Sequence, residues 1–154
     1  MLGWLRNLFL LTGLATFAPA AFFALRLYIG AYLIWGVSGS IVHAARMEEF
    51  EGFLRVIGSP WPDLAAPLSV WTQFLIGWLL IPGLFTRWAG ILLTINFLIA
   101  MGLIATSQWG YPRLDRELFG PAVCTLVGLV LATHGAGRWS LDAVLEQARL
   151  RLGA

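Results

Sequence analysis

Hydrophobic and polar positions divide this chain into long apolar runs joined by short polar segments. Between Leu64 and Ser107, two runs of about 20 apolar residues, the length that crosses the hydrocarbon of a bilayer as a helix, are separated by little more than Thr86 and Arg87. A joint this short connects antiparallel neighbours, so the pattern predicts a transmembrane hairpin with spans at 64–84 and 88–107. Two further runs predict spans at 20–45 and 117–133. The fold class expected is an all-α membrane protein: an antiparallel four-transmembrane-helix bundle, one membrane domain over 1–154, with flanking amphipathic helices.

The flanking helices come from the polar segments. Phe50, Phe53, Leu54 and Ile57 recur at i, i+3, i+4 and i+7, with Glu48, Glu49, Glu51 and Arg55 on the remaining surface. That spacing predicts a short amphipathic helix lying flat on the membrane. Gly58 ends it, and Ser59 to Asp63 turn the chain into the second span. Ser140 is an N-cap candidate for an amphipathic tail helix over 140–152. Residues 1–17 carry Arg6, an apolar stretch and then Ala18-Pro19-Ala20, a composition shared with signal peptides. They are read as an interfacial helix ending before Pro19, with an uncleaved signal or an extra span as alternatives.

Within the spans, small and polar residues mark the faces that meet other helices. Arg26, Gly30, Leu33, Val37 and Ser40 share one face of the first span, and Tyr28, Tyr32 and Trp35 another. Ser69, Gln73 and Gly77 follow four-residue steps in the second span. Ala89, Asn96, Ala100 and Ser107 share a face in the third. Gly120, Cys124, Gly128 and Ala132 form a small-residue ridge in the fourth. Counted from a turn at Thr86–Arg87, Gln73 and Asn96 lie within roughly 4.5 Å of the same depth at the helical rise.

Composition strengthens this reading. Hydrophobic residues make up 59% and charged residues 12%, against about 25% charged in soluble domains, and the mean hydropathy is +0.80. All ten basic residues are arginine and the net charge is +2, with no basic, aromatic-interleaved stripe, so nucleic acid is not an expected partner. Cys124 is the single cysteine, which excludes a Cys-x-x-Cys redox relay. Trp61, Trp88, Trp109 and Trp139 sit near span ends, as interfacial tryptophans do. Four spans place both termini on one side with Arg6, Arg87, Arg138, Arg149 and Arg151. Arg46, Arg55, Arg113 and Arg116 lie on the other side. The arginine excess favours cytoplasmic termini.

Candidate chemistry is sparse. Gln73 and Asn96 either bond each other across the hairpin or offer hydrogen bonds to a quinone carbonyl, because an unpaired amide in hydrocarbon is costly. Arg26 either snorkels to the headgroups or holds a quinone, a lipid headgroup or a partner's carboxylate. Arg87 reads as an interfacial anchor. His43 and His134 end different spans at opposite surfaces, whereas a bis-histidine haem needs both at one depth, so haem is not expected. Neither histidine has zinc-site neighbours, and no metal site or catalytic residue is assigned. Cys124 reads as a packing residue. Trp109, Tyr111, Arg113, Asp115 and Arg116 form a mixed aromatic and charged loop, read either as solvated helix-end charges or as a partner-docking surface.

Three stretches then carry a resemblance: Leu25-Arg26-Leu27 with Gly30, Gly83-Leu84-Phe85-Thr86-Arg87 at the hairpin turn, and Gly135-Ala136-Gly137-Arg138-Trp139-Ser140-Leu141-Asp142 after the fourth span. In order and spacing they resemble the DoxX family of small four-span membrane proteins, over about Ala20 to Leu145. The resemblance implies a four-helix membrane bundle and a role in membrane redox chemistry. The family is similar to subunits of thiosulfate:quinone oxidoreductase, and other members associate with sulfurtransferase and superoxide-handling partners. The expectations are a bacterial inner-membrane subunit of a quinone-linked redox or respiratory assembly, not catalytic alone, in an oligomer or hetero-complex with other membrane or peripheral redox proteins. The expected cofactor is quinone, with none bound covalently. The alternatives are an assembly factor or structural accessory subunit, and then a small-molecule transporter. Members often carry a glutamate in the second span, where this chain has Gln73, and a lysine near Ser40 to Arg46, where it has none.

Overall fold

The structure, a computed structural model, describes residues 12–107 and 114–153. A 3-10 segment, Thr12–Phe17, leads into α1 (Ala18–Val42). Then follow α2 (Ala44–Val56), α3 (Pro62–Leu80), α4 (Thr86–Thr106), α5 (Leu114–His134) and α6 (Leu141–Leu152). The described residues are helical with no strand. α1, α3, α4 and α5 are each long and apolar enough to cross a membrane.

Local chemistry sets the boundaries. α1 and α3 each carry a proline in the first turn, where its missing N–H would have had no helical partner. α1 stops at His43, whose backbone is extended. α2 ends at Gly58, with φ of +85°. The hairpin turn is Ile81 to Phe85, between α3 and α4. It lies earlier than the polar pair Thr86–Arg87 suggests, because both of those residues already belong to the first turn of α4.

The bundle is built from two closely packed helix pairs. The most extensive interface joins α4 to α5, and the next joins α1 to α3; the α3–α4 hairpin contact is much thinner. Each pair crosses on two glycines. A Cβ on Gly77 would stand 2.8 Å from the Gly30 carbonyl oxygen, and a Cβ on Gly90 would stand 2.7 Å from that of Gly128. Both separations are closer than real Cβ contacts, so only glycine lets the backbones approach this far. Of the four-residue ridge on the last span, Gly128 makes the crossing and Cys124 is buried.

Two apolar clusters tie the pairs together. One gathers Ile29, Leu33, Ile76, Leu80, Ala89, Leu93 and Leu131, so all four spans contribute. The other gathers Leu54, Ile57, Ala66 and Ile104, flanked by Met47, Phe50, Phe53 and Leu118. This second cluster corrects the expectation that the apolar stripe of α2 lies on lipid. The stripe faces inward and closes one end of the bundle, because burying it against α3 and α4 removes the same apolar surface from water. At the start of α3, Arg55 donates to the Asp63 carboxylate. That hydrogen bond first, and then the Asp63 charge, raise the already high pKa of the guanidinium.

The outer surface is apolar. Tyr28 and Trp35 on α1, and Trp71, Leu75 and Trp78 on α3, are all exposed. That is the inversion expected where hydrocarbon is the solvent and a helix gains little by hiding leucine or tryptophan from it.

Candidate functional site

Two polar constellations stand out, one at a membrane end and one at mid-depth. The first is centred on Arg26, which is fully buried. Its Nη1 donates to the Leu80 carbonyl at 3.5 Å and its Nη2 to the Trp139 carbonyl. The guanidinium carbon lies 5.7 Å from the centre of the Phe23 ring. Leu80 is the last residue of α3, where helix carbonyls lack partners and the helix dipole is negative. The Arg26 side chain therefore runs into the protein and not out to the headgroups, so of the readings its sequence position leaves open, the snorkelling anchor does not hold.

The hairpin turn and the tail close over this arginine. Gly83, with φ of +70°, is buried against the guanidinium and against Ser140. The N–H groups of Leu141 and Asp142 donate to the carbonyls of Pro82 and Gly83 at 3.1 and 3.0 Å. In return, the Asp142 carboxylate accepts from the N–H groups of Phe85 and Thr86 at 2.8 and 2.9 Å. This caps the start of α4 with a negative charge, where the dipole favours one. Ser140 caps α6 through Ala143 N–H at 3.2 Å, as its sequence position predicts. Arg87 donates to the carbonyls of Ala132 and Thr133 at 3.2 and 2.8 Å, capping the end of α5. The three stretches that carry the resemblance thus meet at one end of the bundle.

The second constellation joins the hairpin at mid-depth. Gln73 Nε2 donates to Ser69 Oγ at 3.0 Å, and Ser69 Oγ donates to Asn96 Oδ1 at 3.0 Å. Gln73 and Asn96 therefore do not bond directly; Ser69 stands between them. The reason is the earlier turn. With the turn centred on Gly83, Ser69 and Asn96 are almost equidistant from it along the chain, and Gln73 lies one helical turn nearer. The relay leaves the Asn96 NH2 without an acceptor among the described residues. A groove of about 200 Å³ opens beside it, between α2, α3 and α4. Ser69 and Asn96 are its only polar lining among the described residues; Phe50, Phe53, Leu54 and Ile99 belong to its apolar walls. A neighbouring cavity of about 270 Å³ holds Gln73, Ser40 and Tyr32, and Phe50 lines both.

Of the proposed docking loop, Trp109, Tyr111 and Arg113 lie outside the described residues, as does the side chain of Asp115; Arg116 is exposed at the start of α5. Most of the expected helix over 1–17 also lies outside them. His134 stacks on Phe22 with ring centres 4.0 Å apart. His43 follows the last residue of α1, so the two histidines sit at opposite ends of that helix, about 30 Å apart along its axis. Among the described residues, no three of histidine, cysteine, aspartate and glutamate lie together as a metal-holding group. Asp142 and Ser69 are the residues whose roles sequence reasoning misses. The signal for Ser69 is its place on the Gln73 face; the signal for Asp142 is its place just after a helix cap.

A chain whose described elements are all helical, with four long helices that suit a bilayer and pack through paired glycines, is a small four-span integral membrane protein. The DoxX family model matches residues 21–106, covering α1 to α4, and the chain belongs to the DoxX family. No curated protein and no solved structure matches it.

Proposed function

We propose that the protein is a membrane subunit of a quinone-linked redox assembly, docking and stabilising partners rather than catalysing alone. The observation that carries this reading is the groove beside Asn96. It is apolar, flanked on its outer side by exposed Leu68 and Ile99, and offers an amide donor at mid-depth with no titratable group among the described residues of its lining. At about 200 Å³ it is smaller than the 300–1,000 Å³ of common small-molecule sites. It suits one ring whose isoprenoid chain stays in lipid past Leu68 and Ile99. A quinone, when bound, supplies two-electron redox chemistry. The residues of this chain do the rest of the binding: Asn96 Nδ2 donates to a ring carbonyl, Ser69 holds the amide in orientation through Oδ1, and Phe50 and Phe53 exclude water. Among the described residues the groove has no group to move a proton, so in this reading electrons and protons arrive from a partner subunit.

The test is purification of the native assembly in mild detergent, followed by quinone extraction and identification of co-purifying chains. The expected result is a redox protein and quinone with the wild type, and at least a tenfold loss of quinone, but not of the partner, with Asn96→Leu (about 1.4 kcal/mol of binding). Recovery of the wild type alone, with neither quinone nor redox partner, overturns the reading.

A further inference from the structure

A cup of about 520 Å³ lies between the end of α5, the first turn of α4 and the start of α6. Its walls include Phe85, Arg87, Trp88, His134, Arg138 and Glu146. Because α4 begins and α5 ends here, the cup sits where two spans emerge from the bilayer. We propose that it holds the phosphate of an anionic glycerophospholipid whose acyl chains run down the outside of the bundle. This inference is independent of the quinone groove.

The charges favour an anion. Arg138 is exposed and makes no hydrogen bond or ion pair among the described residues. Arg87 spends Nη1 on the Ala132 and Thr133 carbonyls, which fixes the side chain and leaves Nε and Nη2 beside Gly135 with donors to spare. Of the two carboxylates in the lining, Asp142 already accepts from the Phe85 and Thr86 N–H groups. Two guanidinium groups therefore face one uncommitted carboxylate, Glu146. Guanidinium forks match phosphate oxygens in pairs, and basic pockets at the ends of transmembrane helices are the chemistry that recognises anionic headgroups.

The apolar rim favours a lipid over a free phosphate ester. Phe85 and Trp88 are 58% and 66% exposed, beside the arginines and at the level where aromatic residues meet headgroups. Phe85 is also the only described non-glycine residue with positive φ, at 50°. A bulky residue is rarely held there, and here the conformation sends an aromatic ring outward instead of into the core. An acyl chain against Phe85 and Trp88 gives those rings a partner.

The test uses the full chain in nanodiscs of phosphatidylglycerol, phosphatidylethanolamine and phosphatidylcholine, with native mass spectrometry of the lipid retained. Wild type is expected to retain phosphatidylglycerol over phosphatidylcholine by about fivefold, the scale of one basic residue at a membrane surface. Arg138→Ala loses that preference, Arg138→Lys keeps part of it, and Arg151→Ala, an equal loss of charge on the exposed far end of α6, leaves it within about twofold. Added glycerol 3-phosphate does not displace the lipid. Equal retention of the three lipids overturns the proposal, as do equal losses in Arg138→Ala and Arg151→Ala. Displacement by glycerol 3-phosphate reassigns the cup to a soluble phosphate ester and overturns it too.

Discussion

A guanidinium inside a membrane bundle has to be held by something, and here the holders are carbonyls at chain reversals. Placing arginine in a span costs about 2.5–3.5 kcal/mol on insertion scales. Hydrogen bonds to a charged group contribute about 1.5–3 kcal/mol each; Arg26 makes one to Trp139 and a long one to Leu80, while its buried Nε has no partner among the described residues, so the bonds offset part of that cost. A lysine would present a point charge, whereas the planar fork of Arg26 reaches Leu80 and Trp139, carbonyls from segments far apart in the chain. Gly83 is the seat for this fork. Gly58 and Gly83 share positive φ, but a Cβ on Gly58 meets open space while one on Gly83 meets Arg26 and Ser140. Gly58→Ala should therefore cost only the left-handed backbone penalty, about 1–2 kcal/mol. Gly83→Ala should cost at least twice as much, since it also unseats Arg26. Unfolding of both variants in one detergent measures the difference, and equal losses would mean that Arg26 does not rest on the turn. Sequence alone leaves this residue undecided: an arginine two turns from a span end is equally placed to snorkel outward or turn inward. Its Trp139 partner lies 113 positions away, beyond the reach of any local pattern.

Among the helices, the decisive contacts are backbone to backbone. The α1–α3 and α4–α5 pairs are each set by two facing glycines, and packing of this kind drives association where lipid gives no hydrophobic push between helices. α4 offers an internal comparison. Gly90 lies at the crossing, but a Cβ on Gly102 would meet nothing within 4 Å. Gly90→Val should force the α4 and α5 backbones apart at a cost of at least about 1–3 kcal/mol, with loss of folded protein in a detergent thermal scan. Gly102→Val should leave the scan unchanged. If both behave alike, the glycine crossing does not govern the pair. The spans were legible because apolar length alone specifies them, and Gly30, Gly77 and Gly128 were legible from helical spacing. The apolar stripe of α2 was equally visible, but periodicity shows that a face is apolar and not what covers it. The Gln73–Ser69–Asn96 relay was half legible: both amides were placed on facing surfaces, and a turn one helical step earlier put Ser69 opposite Asn96.

At the scale of the molecule, two helix pairs have to be kept in one arrangement although the hairpin joining them makes a thin contact. Besides the apolar cluster to which all four spans contribute, three devices span the gap. The Arg26 and Asp142 constellation fastens α1, the turn and α6 at one end. The serine–amide relay joins α3 to α4 at mid-depth. The cluster of Leu54, Ile57, Ala66 and Ile104 fastens α2 across α3 and α4 near the other end. Their strengths differ in kind. Interhelical hydrogen bonds in membranes average about 0.6 kcal/mol and i, i+4 side-chain bonds within a helix about 0.2–0.5 kcal/mol, and Ser69→Ala removes one of each, so it should cost about 1 kcal/mol. Leu54 is 7% exposed, and truncating a buried leucine costs about 2–5 kcal/mol, so Leu54→Ala should be the more damaging change. Reversible unfolding of both variants in the same micelles gives the order directly. The opposite order would make the relay, and not the inward-facing α2, the stronger of these two links. The expected order has a functional consequence. If α2 and the four-span cluster hold the pairs together and the relay contributes little stability, Ser69 serves to orient Asn96 through Oδ1, leaving Nδ2 turned to the groove to bind and release a ligand without breaking the relay.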